Sequence, residues 1–151
     1  MFRGISLVVL DVKGRIALPV RYRERLTQHE CKQVVITIDT ESPCLLLYPL
    51  REWEQIEAKL NALPSFNPVT RRIQRLLIGH ATELEFDNNG RILLPSLLRD
   101  YAKLGKKVML VGQSKKIELW DEATWNAKRS DWLLEGLQAS ELSGELGSLA
   151  L

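Results

Sequence analysis

The chain has 151 residues, of which 45% are apolar and 26% charged, with a formal net charge of +2. That balance suits an ordinary globular protein, and no run reaches the apolar length needed to cross a bilayer. No basic-plus-apolar leader follows Met1, and the two cysteines, Cys31 and Cys44, make no disulfide framework, so a reduced cytoplasmic protein is expected.

The first expected element is a strand over Ile5–Leu10, followed by a turn at Lys13-Gly14 and a second strand over Arg15–Leu18. Pro19 then stands where proline is tolerated, in the first turn of a helix. Leu18, Tyr22 and Leu26 fall at four-residue steps and form its apolar stripe. Two strands, Val34–Ile38 and Cys44–Tyr48, flank the turn-like Asp39-Thr40-Glu41-Ser42-Pro43. A helix over Arg51–Leu63 carries Trp53, Ile56, Leu60 and Leu63 on one side, and Pro64 ends it. Asn67-Pro68 restarts a helix as cap and first turn, and Gly79 is expected to close it.

Ala81–Phe86 then begins the pattern again. Leu84 and Phe86 alternate with Glu83 and Glu85, as in a strand with one wet face. Asn89-Gly90 is a strong turn signal because both residues accept positive φ at low cost. Arg91–Leu94, a helix after Pro95, and strands over Lys107–Val111 and Lys116–Trp120 follow. Asp121 is expected to cap a last helix bearing Trp125, Trp132, Leu133 and Leu137. The Ser/Gly/Glu/Leu segment from Gln138 is expected to fray or to dock on a neighbour.

The chain therefore states one unit twice. Residues 11–23 and 87–99 agree at seven of 13 positions: Asp11/Asp87, Gly14/Gly90, Arg15/Arg91, Ile16/Ile92, Leu18/Leu94, Pro19/Pro95 and Arg23/Arg99. Each half has about 50 residues without its connecting helices, too few to remove much surface from water alone, so two halves interlocked around one core are expected. The copies differ in charge. Residues 1–25 carry six bases against two acids, whereas 79–105 carry three bases against four acids. The divisions expected are 5–50 and 80–123 for the repeats, 51–79 for connecting helices, and 124–151 for a final helix and tail.

The Asp-x-x-Gly-Arg turn is the candidate site. Arginine offers a flat fork of donors that matches phosphate oxygens and guanine edges, and a glycine turn holds it out from the scaffold. Asp11 and Asp87 could accept hydrogen bonds from the turn amides or position Arg15 and Arg91. The same pairs also read as hairpin salt bridges that only set the turn. Arg21 and Arg25 lie four apart, off the apolar stripe of the first helix. Leu97 and Tyr101 replace them in the second copy, so this basic face is no need of the fold. Arg71, Arg72 and Arg75 read as a solvated helix face, and the four tryptophans as core or subunit contacts. His29, Cys31, Cys44 and His80 match no zinc-ligand spacing. No phosphate loop, nucleophile elbow or metalloprotease signature is present, so neither an enzyme, a metal, a cofactor nor a small-molecule substrate is expected.

Taken as a set, Met1-Phe-Arg-Gly4, Asp11-Val-Lys-Gly-Arg15, Pro43-Cys-Leu-Leu-Leu-Tyr-Pro49, Arg71-Arg-Ile-Gln-Arg75, Asp87-Asn-Asn-Gly-Arg91 and Leu119-Trp-Asp121 resemble the MraZ family of bacterial transcriptional regulators. The resemblance covers nearly everything up to about residue 138. It implies an α+β fold in which two SpoVT-AbrB-type modules build a pseudo-symmetric swapped-hairpin β-barrel with peripheral helices. It also implies a ring-like homo-oligomer that binds repeated double-stranded promoter elements and acts mainly as a repressor of the division and cell-wall gene cluster and of its own gene. Its Asp-x-x-x-Arg motif maps onto Asp11/Arg15 and Asp87/Arg91. The expected DNA-binding residues are Arg15, Lys13, Arg21, Arg3 and Arg91, supported by Asp11, Gly14, Asp87 and Gly90. The alternative expectation is a protein-interaction module, antitoxin-like or an assembly scaffold, on the same barrel.

Overall fold

The computed structural model describes residues 1–29, 32–136 and 144–149. The first copy supplies β1 (Ile5–Val9), β2 (Arg15–Ala17), α1 (Val20–Gln28), β3 (Gln33–Ile38) and β4 (Leu45–Pro49). Two helices follow, α2 (Leu50–Asn61) and α3 (Pro68–His80). The second copy gives β5 (Thr82–Glu85), β6 (Arg91–Leu93), α4 (Ser96–Tyr101), β7 (Lys107–Gln113) and β8 (Lys116–Asp121). Helix α5 (Glu122–Glu135) comes next, and a short 3-10 helix spans Leu146–Ser148. The fold is α+β and its strand pairing is antiparallel.

The pairing runs between the copies. The large sheet has the order β1-β7-β8-β4-β3-β5, and β2 pairs with β6 in a separate two-stranded ribbon. Thus β1 of the first copy lies on β7 of the second, with Leu7 opposite Met109. Reciprocally, β5 of the second copy lies on β3 of the first, with Val34 opposite Leu84. At the middle of the sheet β4 meets β8, Leu45 facing Leu119 and Leu47 facing Ile117. Neither copy completes its sheet alone, which is the physical answer to its small size.

One core lies between the ribbon and the sheet. Ile16, Leu18, Tyr22, Leu26, Val34, Ile36, Leu45 and Leu47 enter it from the first copy. Ile92, Leu94, Leu98, Ala102, Val108, Leu110, Ile117 and Leu119 enter it from the second. Ile16 and Ile92 face each other across the ribbon and are completely buried. Burial of such a side chain is worth about 1.5–3 kcal/mol. The alternate residues of the same strands, Val35, Leu46, Tyr48, Val111 and Trp120, pack on the opposite face beneath Trp53 of α2 and Trp125 of α5. Two covered faces explain why β3 and β4 read as continuous apolar runs rather than as alternating ones. Thr37 Oγ1 donates to Leu77 O at 2.7 Å and Gln74 Nε2 to Leu60 O at 2.7 Å, fastening α3 to β3 and to α2.

Two local expectations need correction. Gly79 does not close α3: the helix runs through it to His80, and Ala81 turns extended as the C-cap. Asp121 stands at the N-cap of α5 but makes no side-chain cap bond; its Oδ1 accepts from Gly105 N at 2.9 Å instead. Asn67 does cap α3, accepting from Val69 N at 2.9 Å. Most of the tail from Gln138, and Cys31, lie outside the described residues.

Candidate nucleic-acid interface

Each Asp-x-x-Gly-Arg segment is a closed turn built by its aspartate. Asp11 Oδ1 accepts from Lys13 N and from Arg15 N, both at 2.9 Å, and Oδ2 takes Arg15 Nε at 3.3 Å. Asp87 repeats this. Its Oδ1 accepts from Asn89 N at 2.8 Å and Arg91 N at 2.9 Å, and its Oδ2 takes Arg91 Nε at 3.0 Å. The backbone of each turn is completed by Gly14 N to Asp11 O and by Gly90 N to Asp87 O. Both carboxyls are held below the usual carboxylate range, chiefly by the backbone amide of the arginine four residues on.

The glycines answer two demands at once. Their φ values are +87° at Gly14 and +72° at Gly90, a region costly for any residue with a Cβ. Each also lies under an arginine from the other copy. A Cβ on Gly14 would come within 2.8 Å of Arg99 Cζ, and one on Gly90 within 2.8 Å of Arg23 Cζ. Those arginines are anchored, Arg23 Nε donating to Leu18 O at 3.0 Å and Arg99 Nε to Leu94 O at 3.1 Å. Arg23 and Arg99 are therefore structural clamps. The signal was already visible: they alone among the basic residues of the two first-turn helices are kept in both copies.

The ribbon brings the two turns together. Arg15 stands opposite Leu93 and Ala17 opposite Arg91. With Ile16 and Ile92 turned into the core, the alternation of a strand puts Arg15, Ala17, Arg91 and Leu93 on the outer face. Arg91 Nη1 lies 3.8 Å from Asp11 Oδ2, so the four charged groups form one cluster across the copies. The Arg15 side chain keeps 28% exposure and that of Arg91 32%, so neither is sealed inside. Because each aspartate engages Nε, the two Nη groups of Arg15 have no protein acceptor among the described residues.

Other expected site residues are placed differently. Lys13 and Arg3 are exposed. Arg21 is not a free basic side chain: its Nη2 donates to Ser6 Oγ at 2.5 Å and its guanidinium lies 4.8 Å from the centre of the Tyr22 ring. Tyr22 OH in turn holds Gly4 O at 2.8 Å. Trp53, Trp120 and Trp125 are buried; Trp132 is half-exposed and packs edge-on to Trp120 and Trp125.

A second polar cluster gave no sequence signal. Ligand-type atoms of Asp39, Cys44 and Glu118 lie within 4.8 Å of one another on the helix-covered side of the sheet. Glu118 Oε1 accepts from Gln113 Nε2 and Trp120 Nε1, and Cys44 Sγ lies 3.6 Å from Asp39 Oδ2. Burial pushes Glu118 above its ordinary value, raises the Cys44 thiol, and lifts neighbouring Tyr48 to about 12.

Fold and site together define a class: a single-chain α+β protein of two cross-paired repeats, each presenting an aspartate-held arginine on a shared ribbon. The family model described as "MraZ protein, putative antitoxin-like" matches residues 1–76 and again 77–135. Relatives named Transcriptional regulator MraZ share 57% identity in Coxiella burnetii (strain RSA 493 / Nine Mile phase I) and 56% in Halorhodospira halophila, each over all of both chains. A third, from Legionella pneumophila (strain Paris), shares 55% over 89% of both. The chain belongs to the MraZ family. No helix among the described residues is long and apolar enough to cross a membrane.

Proposed function

We propose that this chain is a sequence-specific, DNA-binding transcriptional regulator of the cytoplasm and nucleoid, and that the β2–β6 ribbon is its reading surface. One observation carries the proposal: the pairing of β2 with β6 sets Arg15 and Arg91 on one exposed face, each pre-aimed by its own aspartate. A two-stranded ribbon fits the major groove of B-DNA, and a fork of N–H donors fits guanine O6 and N7 or a phosphate. Fixing Nε on the carboxylate before binding lowers the ordering cost of the arginine. Lys13 and Arg3, both exposed, supply the flanking phosphate contacts, which set register rather than sequence, while Arg21 is spent on Ser6 and Tyr22.

The cross-copy pairing supports a swapped-hairpin, barrel-like reading of the architecture, with the helices outside it. A net charge of only +2 makes one such face a weak binder. A ring-like homo-oligomer presenting several faces to tandem promoter repeats raises affinity through effective concentration, without new contacts. The names of the relatives support a transcriptional regulator; repression of the division and cell-wall cluster and of the chain's own gene is what the family resemblance favours. No catalytic role is proposed.

A second reading, a protein-interaction module, rests on the outward row Ile5, Leu7 and Val9 of β1, each about half-exposed. Nuclease protection of the DNA upstream of the chain's own gene tests the first reading. Spaced protected repeats are expected. No protection, together with a stoichiometric protein partner in a pull-down, would favour the second.

A further inference from the structure

A cleft of about 410 Å³ opens beside the second turn, at the junction of the two copies. Leu26 of α1 and Phe86, the residue before Asp87, supply its apolar lining. Arg23 and Lys32 supply its charge, and Asp87 and Gly90 form the wall it shares with the turn. The volume falls in the range of small-ligand sites, and the lining has their usual character, an apolar body with few placed polar groups.

The charge of this cleft is not balanced from within. Asp87 is its one acid among the described residues, and that carboxylate is committed to the turn through Asn89 N, Arg91 N and Arg91 Nε. Arg23 spends only Nε, on Leu18 O. The Lys32 ammonium has no hydrogen bond or ion pair among the described residues. Two cations with donors to spare, set over an apolar floor, select a ligand with an acidic head and a hydrocarbon body.

The matching positions of the first copy differ where it matters. Leu10 stands for Phe86, Ala102 for Leu26 and Lys103 for Thr27. The charge is kept there but the apolar floor is thinner, so the amphiphilic character belongs to the second turn. This asymmetry is not needed by a fold that repeats Ile16/Ile92 and Leu18/Leu94.

We infer that this cleft binds a small amphiphilic anion, a carboxylate or phosphate ester with a short apolar chain, as an effector. Its head group draws on Arg23, the clamp that rests on Gly90. The Gly90 carbonyl accepts from Leu18 N at 3.3 Å, a looser bond than its counterpart, Leu94 N to Gly14 O at 2.8 Å. Occupancy therefore acts on the weaker ribbon bond, one residue from Arg91. This regulatory effect rests on the proposed DNA reading; the ligand site itself does not.

The test is calorimetric titration of the full-length protein with octanoate, octyl phosphate, octanol and inorganic phosphate. Octanoate and octyl phosphate should each saturate one site per chain, and octanol and inorganic phosphate should bind at least about tenfold more weakly. Lys32→Glu, a change at an exposed position, should weaken both amphiphiles about tenfold or more, whereas Lys115→Glu on another face should leave them unchanged. Octanol binding as well as octanoate, or Lys32→Glu binding normally, would overturn the site. Saturating octanoate should also shift promoter affinity about threefold or more in the parent protein and not in Lys32→Glu; an unshifted affinity refutes the coupling. Intact ligand binding without any DNA binding would leave the cleft standing and remove only the DNA reading. Intact DNA binding with no ligand uptake would remove only the cleft.

Discussion

Replacing Gly90 by alanine isolates what the cross-copy clamp contributes. At φ +72° a Cβ costs about 1–2 kcal/mol in the backbone alone. The new methyl would also sit within 2.8 Å of Arg23 Cδ and Cζ. The guanidinium must leave, and its hydrogen bond to Leu18 O, worth about 1.5–3 kcal/mol for a charged donor, goes with it. Gly90→Ala should therefore cost about 2.5–5 kcal/mol. In an Arg23→Ala background the obstruction is absent, so the same change should cost only the backbone part, about 1–2 kcal/mol. The coupling from the double-mutant cycle should be about 1.5–3 kcal/mol. Urea unfolding followed by tryptophan fluorescence measures it, at one fixed protein concentration because assembly adds to apparent stability. Gly79→Ala is the control: no atom lies within 4 Å, and alanine in a helix should gain about 0.5–1 kcal/mol. If Gly90→Ala costs as much without Arg23 as with it, the clamp is not the reason for the glycine.

Three further outcomes follow from the same geometry. Asn67→Ala removes the acceptor for Val69 N and should lower stability by about 1 kcal/mol in the same unfolding assay. Because burial raises Glu118, its ionised form opposes folding at pH values above the ordinary carboxylate range. Glu118→Gln, which keeps the acceptor facing Trp120 Nε1, should raise the melting temperature at pH 8, and the gain should vanish as pH falls to 4. Asp11 and Asp87 have the opposite sign. Their lowered values contribute stability that is present above the ordinary carboxylate range and is lost as pH falls through the folded-state values. The double variant Asp11→Asn/Asp87→Asn should thus show a flatter acid limb than the parent in pH-dependent melting.

Much of this was legible because it is local. The identity of Asp11/Asp87 and Gly14/Gly90 announced the turns, since an aspartate reaching amides two and four residues on and a glycine at positive φ need nothing from elsewhere. The stripe Leu18, Tyr22, Leu26 announced the buried face of α1 in the same way. What escaped the residues alone is long-range. Nothing in Ile5–Val9 says that it pairs with Lys107–Gln113 rather than with its own neighbour; the small size of each half called for a shared core but not for a particular pairing. Arg21, read as a free cation, is drawn to Ser6 and Tyr22 because β1 passes beside α1. Asp121 was free to abandon its cap because Gly105 N, 16 residues back, competes for the same oxygen. Asp39, Cys44 and Glu118 meet only because β4 lies beside β8.

The claim on which all of this turns is that the aspartate-held arginines grip DNA. Fluorescence anisotropy on a labelled fragment of the chain's own upstream region, titrated at several salt concentrations with the parent protein, Arg15→Ala and Arg91→Ala, reads it most directly. The account predicts that Arg15→Ala, from the more basic copy, loses at least about fivefold in affinity and the larger share of the two, at unchanged oligomer size. It also predicts a steep fall of log K with log salt in the parent. Equal affinity and equal salt slope for all three proteins would contradict it.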